Sequence, residues 1–479
     1  MASIALRADP RALATVQRIA DLAHARGGRA LVVGGAVRDA VRGLPSVDLD
    51  VEVYGLAPDA LESMLGAEFA LDRVGVSFGI LKLKETPIDV SLPRRESKAG
   101  LGHRGFEVFA DPGLTIAEAA SRRDFTINAM AYDPRTGELL DPYAGANDLA
   151  AGVLRHTSAA FVEDPLRVLR AMQFAARLDL RLHPDTAAIA RTVNPEGLAR
   201  ERLYGEWEKL LLKGVKPSRG LAVLKETGWL SHFPELAALD GCAQDPEYHP
   251  EGDAFIHTGF CLDHFATERT GVTYDDLLTG FAVLAHDFGK ATTTARGPDG
   301  RWRSHGHAEA GVAPTCTFIG RLTNQADLLR DVPPLVAAHM QPDEFFARQV
   351  GDAAIRRLAT RVGRIDLLVR VVRADHGGRP PMPFTGVPAG DWLLARAAAL
   401  AVTDRAPRPL VQGRHLIELG LKPGKSFGAI LQACYEAQLD GGFATIEDGT
   451  AFAETLALTA PRVGATSPSP TLDGPRAVL

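Results

Sequence analysis

Residues 31–55 read LVVGGAVRDAVRGLPSVDLDVEVYG, and this stretch decides the fold. The apolar run at 30–33 reads as a buried strand. Gly34 and Gly35 follow, where the backbone must pass close to something. Residues 36–43 read as a short helix, with Val37, Ala40 and Val41 on one side and Arg38, Asp39 and Arg42 available to solvent. Gly43 and Pro45 stop it. A second strand begins at Asp48. Asp48, Asp50 and Glu52 fall on one face, Leu49, Val51 and Val53 on the other. Two carboxylates so placed repel each other unless a cation lies between them. As hard oxygen ligands on a rigid strand they suit Mg²⁺. A Gly-Gly turn opening a helix just before them offers backbone N–H groups to a phosphate.

A DxD pair on a strand is common by itself, and so is Gly-Gly before a helix. On two consecutive elements, with Arg38 and Asp39 between, the combination is far more specific. It resembles motif A of the nucleotidyltransferase superfamily that includes DNA polymerase β. The GGxVRD form resembles class II tRNA nucleotidyltransferases (CCA-adding enzymes) and bacterial poly(A) polymerases.

The surrounding residues extend the resemblance. A short strand at 87–92, PIDVSL, carries Asp89, a third carboxylate that would complete a triad with Asp48 and Asp50. Residues 94–113 are polar, Gly-rich and basic and read as a loop, with Arg94, Arg95, Lys98 and Arg104 as candidate phosphate contacts; Arg94 and Lys98 are the assigned RNA contacts. The string RRDFTINAMAYDP, beginning at Arg122, resembles the family's motif B, with a helix-like TINAMA inside it. Residues 159–178, AFVEDPLRVLRAMQFAARL with its flanks, have helical spacing, with Pro165 in the first turn. Taken alone, Glu163 and Asp164 read as capping groups and Arg167 and Arg170 as a solvated face. Downstream of the earlier motifs, the EDxxR string resembles the family's base-reading motif. The resemblance implies that Asp164 and Arg167 present an acceptor and a fork of donors to the Watson–Crick edge of C or A. Gln173 stands where a second arginine is often found, so no triphosphate role is assigned to it. The string ERLYGEWEKLL, beginning at Glu201, resembles the last neck motif, a Glu–Arg pairing that holds helices together.

A second chemistry begins near 245. His249, His257, His286-Asp287, His305, His307, His339 and Asp375-His376 form an ordered series of imidazoles and carboxylates. That is the ligand set of a transition metal that activates water. The series resembles the HD phosphohydrolase domain that some bacterial CCA-adding enzymes carry. The resemblance implies His257, His286, Asp287 and Asp375 as metal ligands, with His305 and His339 beside them, and Ni²⁺ or Mn²⁺ among the candidate ions.

Composition bounds the rest. At 479 residues the chain exceeds one ordinary core, so about two to four domains are expected. Its residues are 46% apolar and 23% charged, as in soluble globular proteins, and no apolar run approaches the ~20 residues of a membrane span. The N-terminus lacks the pattern of a secretory signal, and the four scattered cysteines suit reduced thiols in the cytoplasm. A net charge of −6 argues against a uniformly basic RNA-coating protein, so any RNA meets a local basic surface.

The expected architecture is an α+β head of the polymerase β type with a mixed sheet, then an all-α neck, body and tail containing the HD domain. The expected stretches are a helix at 1–29, the catalytic head at 30–150, neck and body at 151–244, the HD domain at 245–378, a helical tail at 379–460 and a disordered end at 461–479. The resemblance implies an enzyme that adds CCA to the tRNA 3′ end from CTP and ATP. Asp48 and Asp50 hold two Mg²⁺, Asp89 orients the RNA hydroxyl, and Gly34, Gly35, Arg38, Arg123, Asp164, Arg167 and Arg170 bind the nucleotide. A poly(A) polymerase, an HD phosphohydrolase with a nucleotide-sensing head and a non-catalytic tRNA-binding protein are the competing readings.

Overall fold

The computed structural model describes residues 4–72, 80–98 and 106–459. Arg104 and the 461–479 stretch lie outside the described residues, as does the side chain of Lys98. The chain forms two compact units, Met1–Met340 with Arg370–Val387, and Gln341–Val369 with Pro388–Leu479. Residues 341–369, expected within the HD stretch, belong to the second unit.

The head of the first unit is built from β1 (Arg29–Val33), β2 (Leu49–Tyr54), β3 (Leu71–Asp72), β4 (Ile80–Leu83), β5 (Ile88–Ser91), β6 (Arg94–Lys98), β7 (Phe106–Ala110), β8 (Ala131–Tyr132) and β9 (Leu139–Leu140). One mixed sheet runs β3-β4-β5-β2-β1-β8-β9, and β6 and β7 pair separately. β2 lies antiparallel to β1 and parallel to β5. The period-2 pattern of β2 sets its orientation. Leu49, Val51 and Val53 join Val32 and Val90 in a core closed by Val16, Ile19 and Ala23 of the helix Pro10–His24 and by Leu61, Met64 and Leu65 of the helix Pro58–Gly66. Burying each such side chain is worth ~1.5–3 kcal/mol. A one-residue slip would drive Asp50 and Glu52 into that core, so the register is strongly specified.

The rest of the first unit is mainly helical. The neck consists of Leu166–Leu178, Arg200–Lys213 and Pro217–Glu226. Ala254–Thr267, Thr273–Ala285, Val312–Leu322 and Ala326–Ala338 follow. In the second unit, Val411, Leu416, Ile430, Cys434, Phe443 and Ala453 form a core among the helices Gly413–Glu418, Lys425–Leu439 and Ile446–Thr459. No described helix is long and apolar enough to cross a membrane.

The mixed-sheet head and helical remainder match the sequence expectation, with four local corrections. Asp48 precedes β2 rather than opening it. The stretch read as a loop at 94–113 contains the β6–β7 pair, because RRESK and FEVFA both tolerate extended backbone and find each other in register. TINAMA is a 3₁₀ turn, Thr126–Asn128, leading into β8. Residues 159–178 are a 3₁₀ turn, Ala159–Glu163, and a separate helix, Leu166–Leu178, with Pro165 as its N-cap; Asp164 stays extended, as residues before proline do.

Candidate active sites

The first site lies where β1 ends. Val33 pairs with Asp50, and Asp50 pairs with Asp89 on the neighbouring parallel strand, so both carboxylates leave the same face. Asp48, Asp50 and Asp89 line one cleft of about 800 Å³ together with Asp72 and Lys82. Lys82 Nζ stands 3.2 Å from Asp89 Oδ2, an exposed pair worth little by itself. Asp50 opens to the cleft, yet the protein packed around its carboxylate pushes its pKa up, and Asp89, Asp48 and Glu52 add to the rise; Arg123 opposes it. An excess of negative charge with one nearby guanidinium fits a divalent cation, the chemistry expected of oxygen ligands for Mg²⁺.

Gly34 takes φ +75°, a conformation glycine adopts without strain. A Cβ there would stand 3.2 Å from Arg123 Nη1 and 3.6 Å from Asp50 Oδ2. The bare backbone therefore lets Arg123 lie across the turn, with its Nη2 3.6 Å from Glu52 Oε1. Arg38 is not available to solvent as expected. It is buried, bound to Asn128 Oδ1 at 2.8 Å and to Asp39, and it lies over the Phe174 ring. A guanidinium on a short helix is covered whenever an aromatic ring and two acceptors surround it, which the helix pattern alone does not reveal.

In the neck, Asp164 accepts from the backbone N–H of Leu166 at 3.1 Å and pairs with Arg202 at 2.8 Å. Arg167 donates to the carbonyls of Ala160 and Arg122 at 2.5 and 2.7 Å. Arg170 pairs with buried Asp124 at 2.6 Å. Burial alone would raise the Asp124 pKa, but Arg170 and Asn128 hold it below the usual carboxylate range. Arg202, read from the sequence as part of a neck pairing, is thus the partner of Asp164. Arg94 begins the β6–β7 pair beside Arg122, whose Nη1 donates to its carbonyl at 3.4 Å.

The second cluster is almost wholly buried. His286, His307 and His339 each direct Nδ1 at a carbonyl three residues back, Val283, Ser304 and Val336, at 2.7, 2.8 and 2.7 Å. A carbonyl only accepts, so each Nδ1 carries a proton and each Nε2 faces inward. The Nε2 atoms of His307 and His339 then face each other at 3.1 Å, a contact that a shared proton or a bound cation satisfies. His257 Nε2 lies 3.0 Å from Asp375 Oδ1, and His286 Nε2 is buried without a hydrogen bond. Three neighbouring groups of possible ligands result among the described residues: His257, Cys261, His286 and Asp375; His249, Glu251 and His257; and Asp287, His307 and His339. This donor set fits a transition metal. Burial would raise the Asp287 pKa, but His286 and Lys290 hold it far below the usual range. Burial, with His286 and His307 beside it, lowers His339 to about 3, so its imidazole is neutral and able to ligate.

Two residues escaped the sequence reading, and a third, His307, stood in the series without being assigned as a ligand. His307, not exposed His305, enters the cluster, because His307 opens the helix His307–Ala310 while His305 stays in the preceding turn. Glu251, whose side chain is buried, accepts from His257 Nδ1 at 2.6 Å and His249 Nδ1 at 3.0 Å. Its place in the HPE string was the available signal. Arg379 pairs with Asp375 at 2.7 Å.

A family model described as the Poly A polymerase head domain matches residues 30–155, and one described as the probable RNA and SrmB-binding site of polymerase A matches 179–239. Fold and site thus define a nucleotidyltransferase of the poly(A) polymerase type. Multifunctional CCA proteins are similar along most of the chain. That of Xanthomonas campestris pv. campestris is 39% identical over 390 residues, covering 78% of this chain and 91% of its own. That of Xylella fastidiosa is 37% identical over 393 residues, covering 79% and 91%. The chain belongs to the multifunctional CCA protein family. Its fold is similar to the Bacillus stearothermophilus CCA-adding enzyme in complex with CTP, with TM-score 0.63, 21% identity and 94% and 98% coverage. The Thermotoga maritima CCA-adding enzyme complexed with tRNA has TM-score 0.58, 20% identity and 94% and 97% coverage.

Proposed function

We propose that the chain adds C, C and A in turn to the 3′ end of tRNA from CTP and ATP, and that its second cluster hydrolyses phosphate esters. The observation that supports the first activity most directly is the register that brings Asp50 beside Asp89, with Asp48, in one open cleft next to the Gly34 turn. Asp48 and Asp50 would hold two Mg²⁺, which when bound acidify the RNA 3′-hydroxyl and offset the charge of the triphosphate. Asp89 orients that hydroxyl. The RNA 3′-oxygen attacks the α-phosphorus, its proton leaving to solvent; a new P–O bond forms, and the bond to pyrophosphate breaks. Gly34, Gly35 and Arg123 hold phosphates or ribose, and Arg38, packed beneath the turn, keeps it stiff. Asp164 and Arg167 select the base, with Arg202 and two carbonyls fixing their directions. Arg170 holds the neck to Asp124, and Arg94 and Lys98 meet the RNA backbone.

At the second cluster, His257, His286, Asp287 and Asp375, with His307 and His339, would hold a transition metal such as Ni²⁺ or Mn²⁺, which when bound makes water nucleophilic at neutral pH. Water adds to phosphorus, the ester P–O bond breaks, and the leaving oxygen takes the proton. A phosphatase or 2′,3′-cyclic phosphodiesterase activity follows. A cytoplasmic setting suits the four unpaired cysteines.

Incubating the chain with tRNA lacking its terminal CCA, labelled CTP and ATP, and Mg²⁺ tests the main reading. Addition that stops after three nucleotides supports it. A long tail of A would make the chain a poly(A) polymerase, and no incorporation would reject both. Asp48→Ala should abolish addition while tRNA binding persists; near wild-type addition by that variant would reject the metal assignment.

A further inference from the structure

The strand register lays four charged side chains in one row across the head sheet. Asp72 of β3 pairs with Lys82 of β4, Lys82 with Asp89 of β5, and Asp89 with Asp50 of β2. Directly paired residues on neighbouring strands share a face, so all four side chains leave the sheet toward the cleft that they line. The row continues to Val33 of β1, after which comes the Gly34 turn with Arg123 across it. The two central carboxylates, Asp89 and Asp50, are thus bracketed by two cations, Lys82 on one side and Arg123 on the other.

The two cations serve different flanks. Arg123 stands beside Gly34, on the flank assigned to the triphosphate. Lys82 stands beside Asp89, the carboxylate assigned to the RNA 3′-hydroxyl. The nucleotide bearing that hydroxyl is joined to the strand by a phosphodiester one ribose away, so an anion arrives near Asp89 whenever the hydroxyl does. The cleft is otherwise hostile to it, being lined by Asp48, Asp50, Asp72 and Asp89. Lys82 and Lys84 are its cations among the described residues, and Lys82 is the one within the row. Its Nζ lies 3.2 Å from Asp89 Oδ2, with the Lys82 side chain 52% exposed. So open a pair is weak, and the ammonium can turn to a second partner at little cost. It also carries three donors, of which one carboxylate oxygen uses only part.

We propose that Lys82 binds the last internucleotide phosphate of the acceptor RNA and so seats the terminal ribose with its 3′-hydroxyl against Asp89. The inference rests on the nucleotidyl-transfer reading of this cleft and adds the residue that places the acceptor strand in it.

The test compares wild type, Lys82→Ala and Lys82→Arg in the addition of A from ATP, with Mg²⁺, to two tRNAs that lack only the terminal A. One is unmodified. In the other, a methylphosphonate joins the last two nucleotides, which removes the charge of that one phosphate. Lys82→Ala should raise KM for the unmodified tRNA roughly fivefold and leave KM for ATP unchanged. Lys82→Arg should restore most of the loss. The salt dependence of tRNA binding should weaken by one contact, a slope shallower by about 0.7. Wild type should suffer the same fivefold loss on the methylphosphonate tRNA, and Lys82→Ala should lose nothing more on it, as two halves of one contact do. Losses that multiply, or an unchanged KM for tRNA in Lys82→Ala, overturn the proposal. So does a fall confined to kcat, which would make Lys82 a support of Asp89 and not a ligand of the RNA. Should wild type add no nucleotide to either tRNA, the transfer reading fails by itself. The contact is then judged by fluorescence anisotropy of the two labelled tRNAs. A wild-type preference for the charged linkage that disappears in Lys82→Ala supports it, and no preference in wild type overturns it.

Discussion

Glu251 shows how one side chain can govern a site it does not complete. Its Oε1 accepts from both His249 and His257, which leaves His257 Nε2 aimed at Asp375 and the cluster. Carboxylates behind ligating histidines set tautomer and ring direction, and their loss typically costs 10–100-fold in metal affinity. Glu251→Gln should therefore weaken Mn²⁺ or Ni²⁺ binding to the second cluster by about that factor in a calorimetric titration, with nucleotide addition unchanged; unaltered metal affinity would refute the role. Asp124 acts on stability instead. Its pKa is depressed in the folded chain, so between that value and the ~3.9 of an unfolded aspartate the unfolded state binds more protons. The stability it contributes is complete above the unfolded value and is lost as pH falls through the folded one. Asp124→Ala should cost about 2–3 kcal/mol in chemical denaturation at neutral pH, the low end for a buried pair because Arg170 is partly open to water. The difference from wild type should shrink below about pH 4. The sequence showed Asp124 only as part of a motif string; its pairing depends on Arg170, which reaches it from another element, as well as on Asn128 four residues along.

At the scale of elements, the head was legible because alternation along β2 is short-range information. Leu49, Val51 and Val53 must be buried together, and Asp50 and Glu52 then share the other face whatever the rest of the chain does. The β6–β7 pair was not legible, since β6 is wholly polar and only its pairing with the apolar β7 makes it a strand. The helix following His286-Asp287 gives an element-scale prediction. A Cβ on Gly289 would stand 2.0 Å from the carbonyl oxygen of His307, so glycine alone lets Lys290–Thr293 approach His307–Ala310. Gly289→Ala should cost about 1–3 kcal/mol of stability, read as a lower melting temperature, and should weaken metal binding by displacing His307. A variant with wild-type melting and metal affinity would show that the close approach is dispensable. Gly34 has the same character in the head, where the left-handed turn and the space beside Arg123 both exclude a side chain.

For the molecule as a whole, two chemistries on separate side-chain sets within the first unit should be separable. Asp287→Asn should abolish phosphate-ester hydrolysis and leave CCA addition near wild type, while Asp50→Asn should do the reverse. Chelation should stop both, Mg²⁺ alone should restore addition, and hydrolysis should return with Mn²⁺ or Ni²⁺; a variant that loses both together would mean the sites are coupled. The sequence by itself determined the family, the α+β head and helical remainder, and the alternation of acidic with apolar positions along one strand. These follow from local periodicity and from motifs whose spacing is set along one or two adjacent elements. Only the tertiary structure decided that Arg38 is buried, that Asp164 meets Arg202, that His307 rather than His305 joins the cluster, and that Glu251 stands behind His257. Most of those depend on residues brought together from distant parts of the chain. The direction of a side chain in such a contact is set by what packs around it, which no local pattern records.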